Sequence, residues 1–164
     1  MSWGINATGA LARIAICVGL LGCSGETGQR EDASEQAEMA LQGEKAIKRE
    51  MWYRESFALE REAEVHVTTT LSDGPAVDVY IMSEVGLNKW ETVVAKGQET
   101  ADLTFEHYPA LGLEGMSTRF TSSWTALAPG TYYLVIDNTS YGGTAPPRSR
   151  KDDVAIVDYK VEVR

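Results

Sequence analysis

The sequence predicts an all-β domain built as an antiparallel β-sandwich of seven or eight strands. Short runs in which apolar and polar residues alternate begin at Met51, and turn-forming residues separate them. Because this part of the chain has no long amphipathic helix to cover a sheet, each sheet must bury its apolar face against another sheet. A closed barrel is the alternative architecture, and nothing in the sequence decides closure.

Seven runs are predicted as strands. In chain order they are residues 51–59, 65–71, 77–82, a run marked by Leu103 and Phe105, and residues 117–125, 131–136 and 155–163. Turn formers precede two of them, at residues 72–75 and 128–130. Residues 84–96 carry apolar residues at mixed spacing, which fits one or two helical turns or an irregular connection.

The N-terminal segment has the form of a bacterial lipoprotein signal peptide. Residues 1–13 carry one positive charge and no acid, residues 14–22 are apolar, and Leu20-Leu21-Gly22-Cys23 matches a lipobox. The apolar stretch is far shorter than the roughly 20 residues that a membrane-spanning helix needs. We therefore expect removal of residues 1–22, lipidation of Cys23 and attachment to a membrane of the bacterial cell envelope. Ser24 favours the outer membrane if the envelope has two.

Residues 23–43 are predicted to form a lipidated tether and residues 44–164 the sandwich domain. The tether has no aromatic residue and too little apolar material to offset the entropy cost of ordering. As a coil it would span about 25 Å, and a weak, transient helix is the alternative. Both cysteines, Cys17 and Cys23, precede the domain, so the domain contains no disulfide.

Charge and motif content exclude several classes of function. The whole chain has 15 basic and 24 acidic residues, and removing residues 1–22, whose only charge is Arg13, leaves a formal net charge of −10. Such a chain repels nucleic acid, whose binding requires clustered Lys and Arg. The H-E-x-x-H, C-x-x-C, G-x-S-x-G, G-x-x-x-x-G-K and S-x-x-K patterns are all missing. We expect a protein that is not an enzyme and binds no cofactor.

Candidate ligand-binding side chains also have structural interpretations. Oxygen ligands for calcium occur as Asp73 with Asp78, Asp137 with Asn138, and Asp152-Asp153. Each also fits a turn, an outward strand position or a solvated charge, so we assign no metal site. The aromatic residues that would stack on sugar rings if exposed, and otherwise pack, are Trp52, Trp90, Trp124 and Tyr141. The two histidines, His66 and His107, are expected on separate strands at exposed positions.

One set of residues spread along the domain is distinctive. It comprises Gly43, Trp52-Tyr53, Phe57, Leu59, Val65-x-Val67-x-Thr69, Ala76-Val77-Asp78-Val79-Tyr80, Leu127-x-Pro129-Gly130-Thr131-Tyr132-Tyr133-Leu134-Val135 and Tyr159-x-Val161-x-Val163. Together these residues resemble the bacterial pre-peptidase C-terminal (PPC) domain and the related GOLD-type sandwiches. The resemblance covers about residues 43–164 and implies a jelly-roll-like sandwich that serves as an accessory, interaction or secretion-associated module. It implies no catalytic residue, because members of these families share no single catalytic site.

These observations predict a lipid-anchored module of the cell envelope that binds a protein or a glycan. A structural lipoprotein that acts as a spacer or stabilises a complex is the alternative. The candidate recognition site is the 16-residue connection from Asn138 to Asp153, because connections of this length are usually functional or disordered. Its candidate partner-binding residues are one aromatic residue and three clustered positive charges, namely Tyr141, Arg148, Arg150 and Lys151. The sequon Asn138-Thr139-Ser140 at its start is expected to serve a turn.

Overall fold

The strands form two antiparallel sheets that pack face to face, as the sequence predicts. The computed structural model describes residues 36–96, 105–141 and 154–164. Within these residues the elements are β1 (Glu38–Lys48), β2 (Trp52–Leu59), β3 (Ala63–Asp73), β4 (Val77–Ser83), α1 (Glu84–Lys96), a 3-10 turn (Pro109–Leu111), β5 (Leu113–Met116), β6 (Arg119–Thr121), β7 (Thr125–Leu127), β8 (Gly130–Asp137) and β9 (Val154–Val163).

The strand order is that of a jelly roll. Sheet 1 has the order β1-β9-β3-β6, with β7 also pairing with β3, and sheet 2 has the order β2-β8-β4-β5. Most successive strands cross from one sheet to the other, which is the double Greek-key arrangement. The described residues contain nine strands rather than the expected seven or eight, because the edge strand beside β3 is broken into β6 and β7 and because the sequence does not predict β1 or β5 as strands.

Alternation places one face of each long strand in the core between the sheets. The fully buried side chains that fill the centre of this core are Val65, Val67, Val79, Ile81, Leu134, Ile136, Val157 and Val161. Each such side chain contributes roughly 1.5–3 kcal/mol when it is buried. Apolar packing therefore holds together a domain that has no cysteine.

Helix α1 covers the outer face of sheet 2. Residues 84–96 form one helix of 13 residues, so the helical alternative for this segment is correct and longer than expected. Trp90 on α1 is completely buried against Tyr80 of β4 and Val135 of β8. This second core explains why β4 is buried on both of its faces.

The strand expected around Leu103 and Phe105 is not formed where the structure describes it. Leu103 lies outside the described residues, and Phe105 lies in a connection rather than in a strand. The Phe105 ring packs edge-on against Trp90, with ring centroids 4.8 Å apart, and against Tyr80 at 5.3 Å. Phe105 fills the core beneath α1. An apolar residue in this role looks the same in the sequence as an apolar residue of a strand.

The strand predicted over residues 117–125 is interrupted. β6 ends at Thr121 and β7 begins at Thr125. At the break the N–H of Ser122 donates to the Val67 carbonyl at 2.9 Å, and the Ser122 hydroxyl accepts from the Val67 N–H at 2.8 Å. A serine side chain thus replaces one main-chain group of the missing strand, which the pattern of apolar residues does not reveal.

Strand β1 begins inside the segment that the sequence assigns to the tether. The predicted boundary lies between residues 43 and 44, whereas β1 starts at Glu38 and pairs with β9. Leu41 is part of the main core and is only 8% exposed. The sequence does not predict this strand because its composition is polar. β1 is an edge strand, and charged residues occupy much of its exposed surface.

A polar cluster joins the two sheets where edge strands β1 and β2 lie on the same side of the sandwich. The Glu55 carboxylate accepts hydrogen bonds from the Tyr53 hydroxyl at 2.7 Å and from the Tyr159 hydroxyl. The two hydroxyl oxygens are 3.1 Å apart. Burial and the hydrogen bond to Glu55 raise the pKa of Tyr159 to about 12, and burial together with the hydrogen bonds to Tyr159 and Glu55 raises the pKa of Tyr53 as well. Both phenols therefore stay protonated across the physiological pH range.

Gly43 leaves room for this cluster. It is the register partner of Tyr159 across β1 and β9. A Cβ atom at position 43 would lie 2.5 Å from the Tyr159 hydroxyl oxygen. Any side chain there would displace the Tyr159 hydroxyl from Glu55, so the position of the Tyr159 ring against the backbone of β1 favours a glycine.

We expect a fragment of residues 36–164 to melt cooperatively as a β domain and a fragment of residues 44–164 to be much less stable. The shorter fragment loses Leu41 from the core, and truncating a buried leucine costs about 2–5 kcal/mol. Far-ultraviolet circular dichroism and thermal melting measure the difference. Reductant should not change either midpoint, because no cysteine follows Cys23. Equal midpoints for the two fragments would contradict the structural role of residues 38–43.

Candidate functional site

The outer face of sheet 1 is a polar surface. In the part of the chain that the structure describes, no helix covers it in the way that α1 covers sheet 2. His66, Thr68 and Thr70 line it along β3, and Asp158 and Lys160 line it along β9. This face is therefore a candidate surface for contact with a partner.

An aromatic and charged cluster occupies one end of this face. The Trp124 ring stacks on the His66 ring with centroids 4.9 Å apart, and the Arg164 guanidinium lies 4.3 Å from the Trp124 ring centroid. Arg164 also pairs with the Glu64 carboxylate at 2.7 Å. His66 Nδ1 lies 3.4 Å from the Glu162 carboxylate. Stacking and cation–π contacts thus hold Trp124 against the sheet.

Two shallow depressions lie on the same side of the molecule. One, of about 230 Å³, crosses β1, β9 and β3 and is lined by Gln42, Gly43, Thr68, Thr70, Asp158, Tyr159 and Lys160. The other, of about 240 Å³, is lined by Arg61, Glu62, Ala63, Glu64, Ala126 and Arg164. Both are smaller than the roughly 300–1,000 Å³ of sites that enclose a small molecule. Such depressions suit contact with a larger surface.

A second candidate region is a hydrogen-bonded corner, residues 137–141, where the chain leaves β8. The Asp137 carboxylate accepts the N–H of Thr139 at 3.0 Å and the Thr139 hydroxyl at 3.1 Å. The Asn138 side-chain amide donates to the carbonyl of Ile47 on β1 at 3.0 Å. The N–H of Tyr141 donates to Thr139 Oγ1 at 3.2 Å. The corner is therefore built from side chains that fold back on its own backbone.

The corner is also bonded to the turn between β1 and β2. Glu50 in this turn has a φ of 58°, a left-handed conformation that is uncommon for a residue other than glycine. Its N–H donates to the Asn138 carbonyl at 2.9 Å, and its carboxylate accepts the Ser140 hydroxyl at 3.0 Å. Asn138 and Thr139 are 1% and 0% exposed. The sequon thus serves a turn, as predicted.

The corner adjoins two buried carboxyl groups, one within it on Asp137 and one beside it on Asp78. Asp78 on β4 and Asp137 on β8 are register partners on neighbouring strands, so both side chains lie on the outer face of sheet 2. They are 0% and 1% exposed. The Asp78 carboxylate accepts the N–H of Gly115 on β5 at 2.6 Å. The prediction that Asp78 is an outward strand residue is correct, and the side chain is buried on that face.

Asp137 titrates near neutral pH. Burial is the main cause that raises the pKa of Asp137 from 3.8 to about 7. The hydrogen bonds from Thr139 lower this pKa, because they stabilise the charged form, and the charges of Asp78 and Glu50 raise it. A carboxyl group that is removed from water beside a second carboxyl group holds its proton more tightly than one in solvent.

Of the four predicted partner-binding residues, Tyr141 lies within the described part of the chain. Tyr141 is half-buried at the end of the corner. Arg148, Arg150 and Lys151 lie outside the described residues, as does Cys23. Lipidation and the basic recognition connection therefore stay predictions.

The histidines differ from expectation, whereas Trp90 packs in the core, one of its two predicted roles. Trp90 is completely buried, so it is not available to stack on a sugar. His107 is half-buried and lies outside the strands, with its ring centroid 5.1 Å from that of Tyr80. His66 does lie on a strand, but it is half-buried against Trp124. Periodicity predicts which face a residue occupies and not what packs on that face.

The residues considered as calcium ligands lie together in different pairs from those that the sequence suggested. Asp78 lies opposite Asp137 rather than beside Asp73. Asp73 accepts the N–H of Gly74 at 2.8 Å, as a turn former does, and Asp152-Asp153 lie outside the described residues. Across residues 36–96, 105–141 and 154–164, no group of three or more His, Cys, Asp or Glu side chains is placed to hold a metal ion.

The pairing of Asp78 with Asp137 is the site feature that sequence reasoning missed. A signal for it exists, because each carboxyl interrupts or ends an apolar run, at residues 77–82 and 131–136. A charged residue within a strand that is buried on both faces needs a polar partner. Which residue is that partner depends on how β4 and β8 are aligned, and the sequence of neither run indicates this alignment.

Comparison with known proteins adds no family assignment. No protein-family model matches the chain, and no curated protein matches it significantly. The described residues include no helix that is both long enough and apolar enough to span a membrane. The resemblance to PPC and GOLD-type domains therefore stays a prediction.

We expect Asp137→Asn to reduce the pH dependence of stability between pH 4 and pH 8. A carboxyl whose pKa is raised in the folded state contributes stability below its unfolded pKa and loses it as the pH rises through the folded value. A rise from 3.8 to about 7 corresponds to a loss of up to about 4 kcal/mol, at about 1.36 kcal/mol per pKa unit. Urea unfolding at a series of pH values measures it. Parallel curves for wild type and variant would contradict the raised pKa.

Proposed function

We propose that the protein is a lipid-anchored module of the bacterial cell envelope that binds a protein or glycan partner through the outer face of sheet 1. The lipobox at residues 20–23 supports the anchor. A β-sandwich hosts many unrelated functions, so support for binding must come from a surface and not from the fold.

The contrast between the two outer faces carries the proposal. Helix α1 packs on sheet 2, whereas the described part of sheet 1 presents a shallow depression across three strands. Gln42, Thr68 and Thr70 supply amide and hydroxyl groups there, between the charges of Asp158 and Lys160. Short side chains beside donors, acceptors and both signs of charge allow the close approach of a polar partner surface.

Contacts at Trp124 favour a protein over a glycan. Sugar stacking requires an open aromatic face. The Trp124 ring is already contacted by His66 and by Arg164, and Arg164 is also paired with Glu64. A sugar would have to displace these contacts, whereas exposed edges of Trp and Arg side chains are typical of protein interfaces.

The early start of β1 sets the reach of the proposed anchor. Residues 24–37 separate Cys23 from β1. The proposed tether is therefore 14 residues long, shorter than the segment that the sequence assigns to it.

We expect Cys23→Ser to release the protein from the membrane or to leave it as an uncleaved precursor. Several acyl chains anchor a protein stably because each buried methylene contributes about 0.8 kcal/mol. Membrane fractionation and intact-mass measurement of the wild type and the variant check this. Unchanged fractionation together with unchanged mass would contradict the anchor.

We expect a photo-crosslinking amino acid at Thr70 to capture a discrete partner in cells. The same amino acid at Ser56, an exposed residue on β2, is the matched control and should capture much less. Thr68→Arg should abolish the adduct at position 70, because a long charged side chain would fill the depression, whereas Ser56→Arg should not. Digestion of the adduct with a protease or with glycan hydrolases identifies the partner class.

Two outcomes would redirect the proposal. Equal capture at positions 70 and 56 would favour the spacer role, in which no particular face recognises a partner. Loss of the adduct when residues 142–150 are replaced by a short Gly-Ser linker would assign recognition to the connection. That replacement keeps Ser140 and Tyr141, whose hydrogen bonds form the corner, so the melting midpoint should change little.

A further inference from the structure

The carboxyl groups of Asp78 and Asp137 belong to neighbouring strands at a place that is removed from water. They are opposite each other on adjacent strands, both are buried, and Cβ atoms of such pairs are about 4.5–5.5 Å apart. Two carboxylates at that separation in a desolvated site repel each other strongly, as in other carboxyl pairs that retain one proton between them.

We propose that Asp137, which lies opposite the buried Asp78, is a proton-binding group that controls how firmly the corner, residues 137–141, is closed. This regulation is independent of which partner the protein binds. It adds to the proposed function a pH dependence at the base of the predicted recognition connection.

The charges around the pair favour proton retention. Asp78 of β4 and Glu50 of the β1–β2 turn are the acids whose charges raise the pKa of Asp137. Glu114 of β5 lies on the same outer face, where it accepts the Tyr80 hydroxyl at 3.4 Å. Arg49 in the turn lies 3.8 Å from the Glu50 carboxylate and partly offsets its charge, and Arg54 of β2 pairs with Glu91 of α1.

Asp137 links this proton to the shape of the corner. Its two carboxylate oxygens receive the N–H and the hydroxyl of Thr139, and Thr139 in turn accepts the N–H of Tyr141. When the corner opens, Asp137 gains access to water and its pKa returns toward the ordinary value near 3.9. The closed corner therefore binds the proton more tightly than the open one.

The sign of the effect follows by linkage. Between the open-state and closed-state pKa values of Asp137, the closed corner holds the proton and the open corner does not, so a rise in pH favours opening. The opening equilibrium should increase by up to about tenfold per pH unit in that window and become constant above it. Acid closes the corner and mild alkali loosens it.

Two measurements on the tetherless domain test the proposal after residues 36–164 have been shown to fold. Carbon-13 NMR follows the side-chain carboxyl of Asp137, and we expect a midpoint near neutral pH. Amide hydrogen exchange of residues 138–141, corrected for the intrinsic pH dependence, should show protection that falls at least about tenfold between pH 5 and pH 8. Protection in the centre of β3 should not follow this course.

Variants separate the pair from general effects of charge. Asp137→Asn should remove the pH dependence of protection at the corner, and Asp78→Asn should lower the Asp137 midpoint. Asp158→Asn is the matched control, because Asp158 is an exposed carboxylate on sheet 1 that accepts the Ser72 hydroxyl. It should leave both readouts unchanged.

Either of two results would overturn the proposal. One is an Asp137 midpoint in the ordinary range near 3.9, which the wild-type protein alone can reveal even if the variants do not fold. The other is corner protection that is independent of pH while Asp137 titrates near neutrality. Neither measurement involves a partner, so failure here does not bear on binding at the face of sheet 1.

Discussion

Hydrogen bonds from two tyrosines of opposite sheets to one carboxylate hold the sandwich together along the side of β1 and β2. Glu55 and Tyr53 belong to sheet 2 and Tyr159 belongs to sheet 1. Because the Tyr159 ring lies against Gly43 of β1, this cluster also holds β1 in place. The turn that follows β1 carries Glu50, which bonds to the corner beside the buried Asp137. The polar contacts thus connect an edge strand to the buried carboxyl groups of Asp137 and Asp78.

Sequence reasoning succeeded where a strand has one buried face. The alternation in β2, β3 and β9 predicted a strand at each of these places. It failed at β1, where charges mask the alternation, and at Phe105, which supports a helix rather than a strand. These failures share a physical cause, because the local sequence states how apolar a residue is and not which element lies against it.

Much less of the candidate site follows from the sequence. The positions of Asp78 and Asp137 in their strands are evident, but their encounter depends on the register of β4 against β8. Likewise, Trp124 and Arg164 are 40 positions apart in the chain and meet only because β7 and β9 both pair with β3. Sites assembled from several strands require the topology, which one-dimensional patterns do not contain.

The break between β6 and β7 affects how this domain behaves beside copies of itself. A long edge strand exposes backbone groups on which a second chain can add a strand. Here the edge consists of two three-residue strands, and Ser122 uses its hydroxyl to engage the backbone of β3 between them. Molecules crowded side by side therefore find no continuous backbone to extend at this edge of sheet 1.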